Sequence, residues 1–416
     1  MKPSIIASAC GLIMVAGAQA DDSSLAALAL ADEAAVESAA PKAWRLQIDG
    51  AAGYQNRDDG QSRYWRGSEQ FSIDSGLTDT LRLVFRERLD HLDTAGLTGR
   101  HTMNTWQEGY LNWQPVEGLA MDAGRINIRN GVATGYSPTD WFRDGATRVV
   151  TDIDPTSLRQ NRQGSVMLNG QWLWDSGAVS LLWSPRLSQE SSTASFSADL
   201  GSTNDQHRGQ LSYSPQINDR LKPQFLALFS EDEALQTGVN LSLLLNDNTT
   251  LYAEWAGGKQ QDQWDKAWQR DTAGHFRSQL AVGGTFTSAS KISLTAEYQY
   301  NEAAPDRDEW EKLRALPPVM QAAYSGYLAR SQEIATREGI FFFFNWQDSL
   351  MDKLDVNAMV RLDQVNDSNL YWGEFRYHFT RWDTALQWQH YSPGKDTLYG
   401  AAPFDTQLNL LFTLYL

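Results

Sequence analysis

The chain has one cysteine in 416 residues, Cys10. It sits in the apolar opening of the sequence, so the rest of the chain holds no disulfide, thiol nucleophile or cysteine metal site. Basic residues are in deficit: 35 Lys and Arg stand against 51 Asp and Glu, a formal net charge of −16. Nucleic acid is excluded as a partner on that ground, because phosphate binding needs a basic surface. Long apolar runs are missing too. Past the first residues no segment approaches the roughly 18 apolar residues of a membrane-spanning helix, and mean hydropathy is −0.46. There is no glycine-rich loop with lysine for a phosphate, no His-x-x-x-His and no calcium-loop pattern. No cofactor or metal is therefore expected.

What is present begins with Met1 to Ala20, which reads as a cleaved secretory signal peptide. Lys2 supplies the charge, Ile5 to Ala16 the apolar stretch and Ala18-Gln19-Ala20 the cleavage site. Residues 21–43, rich in alanine and acids, read as a periplasmic extension or a plug segment. From Trp44 to Leu416 the pattern is period-2 alternation. At the end of the chain Leu408, Leu410, Phe412, Leu414 and Leu416 fall on one face, and Gln407, Asn409, Thr413 and Tyr415 on the other, with Leu411 the exception. Ser293, Thr295, Glu297 and Gln299 alternate with Ile292, Leu294, Ala296, Tyr298 and Tyr300 in the same way.

Half-apolar strands from end to end, with 16 Trp, 15 Tyr and 16 Phe, fit an all-β fold. The expected architecture is a transmembrane antiparallel β-barrel with one face to lipid, aromatic girdles at both interfaces, and a last strand paired with the first. The alternation gives about 18 strands, with 16 the other count that keeps parity. Every second connection is a short turn, such as Gly76–Asp79, Pro115–Gly118 and Asn246–Thr249. Long segments, near 131–162 and 302–334, fall on the other side. Short periplasmic turns and long extracellular loops follow.

Two constellations stand out. Arg82, Arg86 and Arg88 on the third strand, with Arg125, Asn127 and Arg129 on a fifth strand running from about Leu119 to Asn130, occupy polar faces. Lipid-facing arginine costs about 2–4 kcal/mol near midplane, so these side chains are expected to line the pore. A basic pore wall favours anions; pairing with lumenal acids is the plainer alternative. The second is the long segment after this strand, with Tyr136, Asp140, Asp144, Asp152 and Asp154. Folded into the lumen, it forms a constriction whose acids face the arginines. Asp90-His91 and Asp93 at the outer end of the third strand, with Asp152 and Asp154 of the long loop, are the arrangement suggestive of an enzyme, a rim hydrolase. His207, His378 and His390 show no catalytic spacing.

Gly124-Arg125-Ile126-Asn127-Ile128-Arg129-Asn130-Gly131, followed by Tyr136-Ser137-Pro138-Thr139-Asp140, resembles an element of large Gram-negative barrels of the porin-like and polysaccharide-export-like families. The closing strand resembles the C-terminal assembly signal of outer-membrane proteins, though it ends in Leu416 where that signal usually has Phe. The resemblance implies an outer-membrane location, insertion by the barrel-assembly machinery, and contact with outer-membrane lipid and lipopolysaccharide. The residues and the resemblance together lead to a non-enzymatic porin for small hydrophilic solutes, anions favoured. A gated export barrel is the runner-up, and a hydrolase a distant third. An assembly of several identical copies is compatible with the same outer wall.

Overall fold

In a computed structural model of the protein, the structure describes residues 42–57, 60–93, 99–392, 394, 397–402 and 404–416. The expected signal peptide and nearly all of segment 21–43 lie outside them. Among the described residues, eighteen antiparallel strands, numbered β1 to β18 in chain order, form one sheet closed on itself. β1 (Trp44–Arg57) pairs with β2 (Gly60–Gly76) on one edge and with β18 (Thr406–Tyr415) on the other, in register from Gln47↔Tyr415 to Asn56↔Thr406. The closing strand therefore lies where its alternation requires: Leu408, Leu410 and Phe412 are exposed outside, while Asn409 and Thr413 are buried inside. Leu411 breaks the alternation because it meets Ala51 and Ala385 in a small inward apolar cluster.

Strand boundaries follow the alternation closely, with one informative exception. β4 (Thr102–Val116) runs 15 residues, but β5 (Leu119–Ile126) only 8. The fifth strand was expected to continue to Asn130; the chain instead leaves the wall after Ile126. Along the unpaired half of β4, Gly164 N–H donates to Gln107 O, and Asn104 N–H donates to Ser195 O of the loop beyond β7 (Gly177–Ser184). Loop backbone thus satisfies the edge that β5 leaves open.

The barrel interior is not an empty lumen. Ile126 packs inward with Phe142, Met167, Leu182 and Leu228. Val132 and Ala133 pack on Tyr252 and Ala281 of the wall. The segment around 302–334 carries helices α1 (Arg307–Arg314) and α2 (Pro318–Ser331). Asp306 and Glu309 form a reciprocal cap that starts α1, and Trp310, Leu313 and Tyr324 pack with Val365. Two long connections therefore converge over one side of the barrel.

Candidate functional site: the constriction

The segment after β5 turns inward at Gly131, whose φ of +97° is the left-handed region that glycine tolerates. A Cβ there would lie 2.6 Å from both carboxylate oxygens of Glu254. Glu254 stands at an inward position of β11 (Thr249–Gln260), and Glu297 at one of β13 (Ile292–Asn301); both are buried. Glu254 accepts from Val132 N–H at 3.0 Å, Ala133 N–H at 3.1 Å and Thr139 N–H at 2.7 Å, and also from the hydroxyls of Ser137 and Thr139. Glu297 accepts from Thr134 N–H at 2.8 Å, Gly135 N–H at 3.1 Å and Tyr136 N–H at 2.9 Å, with Tyr252 OH and Gln299 Nε2 completing its shell. Successive N–H groups curled around a carboxylate make a strong, charge-assisted anchor. It holds the loop across the lumen.

The loop's own charges are largely consumed in holding its shape. Asp140 meets Arg162 at 2.6 Å. Burial opposes charge on Asp140, yet Arg162, Arg159 and Arg143 hold its carboxyl below the usual carboxylate range. Arg143 donates to Ser137 O and pairs with Glu333, just beyond α2, and its guanidinium lies 5.0 Å from the Tyr136 ring centre. Tyr136 OH donates to the same Glu333 at 2.7 Å. Asp144 faces Arg330 at 3.3 Å. Asp152 accepts from Ile153 and Asp154 N–H and from Gln387 Nε2. Asp154 caps the short helix Pro155–Gln160 through Ser157 N–H.

The six residues expected on the pore wall separate into distinct environments, and two of them, Asn127 and Arg129, lie beyond the end of β5. Arg82 is exposed and paired with Asp74; Arg86 lies 3.6 Å from Glu108; Arg88 is buried between Asp49 at 3.1 Å and Asp90 at 2.9 Å. Asn127 donates to Arg159 O, and Arg129 is half-buried. Arg125 does not share an inward face with them. It stands opposite Gly109 and Val166 in the register and on the side of exposed Met121. Its guanidinium is buried 4.9 Å from the Trp106 ring centre and donates to Trp106 O. The cost of an outward arginine is met by covering it, not by turning it inward. Asp90 and His91 point to opposite faces: Asp90 takes Ser68 and Arg88, His91 takes Thr102. They do not converge on a common substrate position.

Where the loop meets the residues after α2, a cavity of about 500 Å³ opens against β13, β14 (Glu338–Trp346) and β15 (Leu354–Asp363). Four arginines line it. Arg143 and Arg162 are paired with Glu333 and Asp140. Arg159 and Arg361 form no salt bridge among the described residues, although Arg159 lies within electrostatic reach of Asp140 and Glu254. Arg159 donates to Ala133 O at 3.1 Å and leaves a buried Nη1 without a partner. Arg361 donates to Gly135 O at 3.3 Å and lies over Phe341. Ile153, Leu158, Leu370, Tyr391 and Tyr399 provide an apolar side. Sequence reasoning did not single out Glu254, Arg143, Arg159, Arg361 or Glu333. Their only signal is charge at inward strand positions or within the long loops.

No protein-family model matches the chain, and no curated protein matches it. Solved structures do. OccAB1 of Acinetobacter baumannii is similar at a TM-score of 0.57 and 10% identity, over 90% of this chain and 96% of that one. OccK8 (OprE) of Pseudomonas aeruginosa gives 0.54 and 11%, over 90% and 97%. A BenF-like porin from Pseudomonas fluorescens Pf-5 gives 0.53 and 11%, over 90% and 98%. At such identities the likeness concerns the fold: this chain has the closed barrel architecture of outer-membrane porins.

Proposed function

We propose that the protein is an outer-membrane channel for passive passage of small hydrophilic solutes, with small anions preferred at the constriction. The observation that carries this reading is the pair Arg159 and Arg361, two guanidinium groups on one cavity that form no salt bridge among the described residues, each donating to a carbonyl of the inward-folded loop. Arginine presents its planar fork to carboxylate or phosphate. A cavity of about 500 Å³ suits a small solute rather than a polymer. Weak binding at such a point selects without trapping. The remaining ladder arginines, paired with acids, stiffen the wall on this reading. The outer wall contacts membrane lipid and, at its long-loop end, lipopolysaccharide. Export through a cleaved signal peptide and insertion by the barrel-assembly machinery belong to the same proposal.

The test is single-channel conductance of purified protein in a planar bilayer, with reversal potentials in a salt gradient. Conductance with anion preference is expected, and Arg361→Ala is expected to bring the preference towards neutrality. Arg361→Lys retains the charge but loses the fork, so it keeps ion preference and weakens solute block. A barrel that stays silent until residues 302–334 are removed would move the assignment to a gated export component.

A further inference from the structure

A second site lies at the short-turn end of the barrel, on the outer edge of its last strands. β16 (Asn369–His378) and β17 (Trp382–Tyr391) are joined by a tight turn through Phe379, Thr380 and Arg381. Beside it, Lys353 ends the turn that enters β15, and its carbonyl accepts from His378 N–H. A cleft of about 370 Å³ opens between these turns. Its walls are aromatic: Phe379 and Trp382 stack with ring centres 3.7 Å apart, and Tyr377 meets Phe379 edge-on at 4.7 Å. Trp382 continues onto outward-facing Phe412 of β18 at 5.2 Å.

The charges around this cleft are segregated. Asp355 and Asp383, on the same strands, turn inward and flank His378 at 3.2 and 3.1 Å. Asp348 is paired with Lys291. Lys353 and Arg381 are left at the outer edge, exposed, and their side chains have no hydrogen-bond or carboxylate partner among the described residues. Each directly precedes a strand residue on the lipid-facing side, Leu354 and Trp382. Two cations outside any ion pair among the described residues, with exposed Asp352 beside Lys353 on the same turn, thus sit just below an aromatic belt that continues up the outer wall.

We infer that this cleft binds the phosphate-diester headgroup of a phospholipid in the periplasmic leaflet. Lys353 and Arg381 take the phosphate, and the acyl chains lie along Phe375, Trp382 and Phe412. Aromatic rings at the interface with cations beside them are what a headgroup meets at a membrane surface. The inference rests on the membrane placement in the proposed function but not on conduction.

The experiment uses the full-length protein, reconstituted into phosphatidylcholine vesicles containing phosphatidylglycerol and then extracted in mild detergent for native mass spectrometry. Flotation of the vesicles reports membrane placement separately, and conductance reports the channel. One retained phosphatidylglycerol is expected on the wild-type barrel. Each cation near a membrane surface contributes about fivefold, so Lys353→Ala/Arg381→Ala is expected to weaken retention by roughly thirtyfold, with flotation and conductance unchanged. The single variants fall between. Equal retention by wild type and double variant, in barrels that float, overturns the site. Displacement of the lipid by millimolar inorganic phosphate also overturns it, since the cleft would then hold a free anion. A barrel that floats and retains the lipid but does not conduct sinks the channel reading and leaves the site standing.

Discussion

Glu254 and Glu297 divide five consecutive loop amides between them: residues 132 and 133 donate to the first, residues 134 to 136 to the second. Two wall carboxylates on β11 and β13 thereby fix the path of the inward-folded loop. Removing a carboxylate leaves several buried N–H groups unsatisfied, at about 1–3 kcal/mol each. Glu297→Ala is therefore expected to free the loop while the eighteen-strand wall stays closed, because no ladder hydrogen bond is touched. The expected readout is a larger, noisier single-channel conductance, with new protease cleavage within residues 131–140. Unchanged conductance and an uncut loop would show that the apolar contacts of Val132 and Ala133 suffice.

Gly131 admits the turn that delivers the loop to those carboxylates. Gly131→Ala combines a left-handed backbone at φ +97° with a Cβ aimed at Ser137 Oγ and the Glu254 carboxylate. The expected penalty is about 1–3 kcal/mol, felt in the loop and not in the wall. Conductance is expected to shift in the same direction as for Glu297→Ala, by less. Gly170, where an added Cβ meets nothing within 4 Å, is the control, and Gly170→Ala is expected to leave conductance unaltered.

The barrel was legible because lipid on one side and polar lumen on the other impose a period of two on every strand. Leu408, Leu410 and Phe412 against Asn409 and Thr413 state that rule, and the register with β1 obeys it. At Arg125 side-chain type and parity part, because an arginine opposite Ile126 reads as lumenal. Parity puts it outward, where free arginine is costly, but the Trp106 indole covers it beside the stretch where β5 is too short to pair. Glu254, Glu297 and Arg361 are inward polar residues among many. What distinguishes them is contact with a loop 115 and 163 positions away for the two glutamates and 226 for the arginine. No local pattern encodes such contacts.

Asp140 gives the constriction a defined acid limit. Its pKa lies below the usual carboxylate value because Arg162, Arg159 and Arg143 outweigh burial. A depressed folded-state pKa contributes stability that is fully present above the unfolded value, about 4, and is lost only as pH falls through the lowered one. The Asp140–Arg162 contact should therefore be intact at pH 5, persist through the pH at which a free carboxylate titrates, and fail only below it. Asp140→Asn should already show the acid-state conductance at pH 7 and lose the transition. A wild-type transition centred near pH 6 would assign the titration to another group.

Arg143 and Glu333 tie the constriction loop to the end of α2, and the pair is mostly buried at both ends. Tyr136 OH and Asn301 Nδ2 also donate to Glu333. Breaking such a pair from one side leaves an uncompensated charge, typically a cost of about 3–5 kcal/mol. Arg143→Ala should thus disorganise both loop and insert, since Glu333 keeps its charge beside an empty position. Glu333→Gln should be milder, because the amide still accepts from Tyr136 and Arg143 retains Ser137 O. The double variant Arg143→Ala/Glu333→Gln should be less damaged than Arg143→Ala alone, a coupling of about 1–3 kcal/mol. Protease protection of residues 131–163 and 318–335, measured across all four combinations, gives that coupling. Strict additivity would mean that loop and insert are held independently, and that the cavity between them does not depend on this contact.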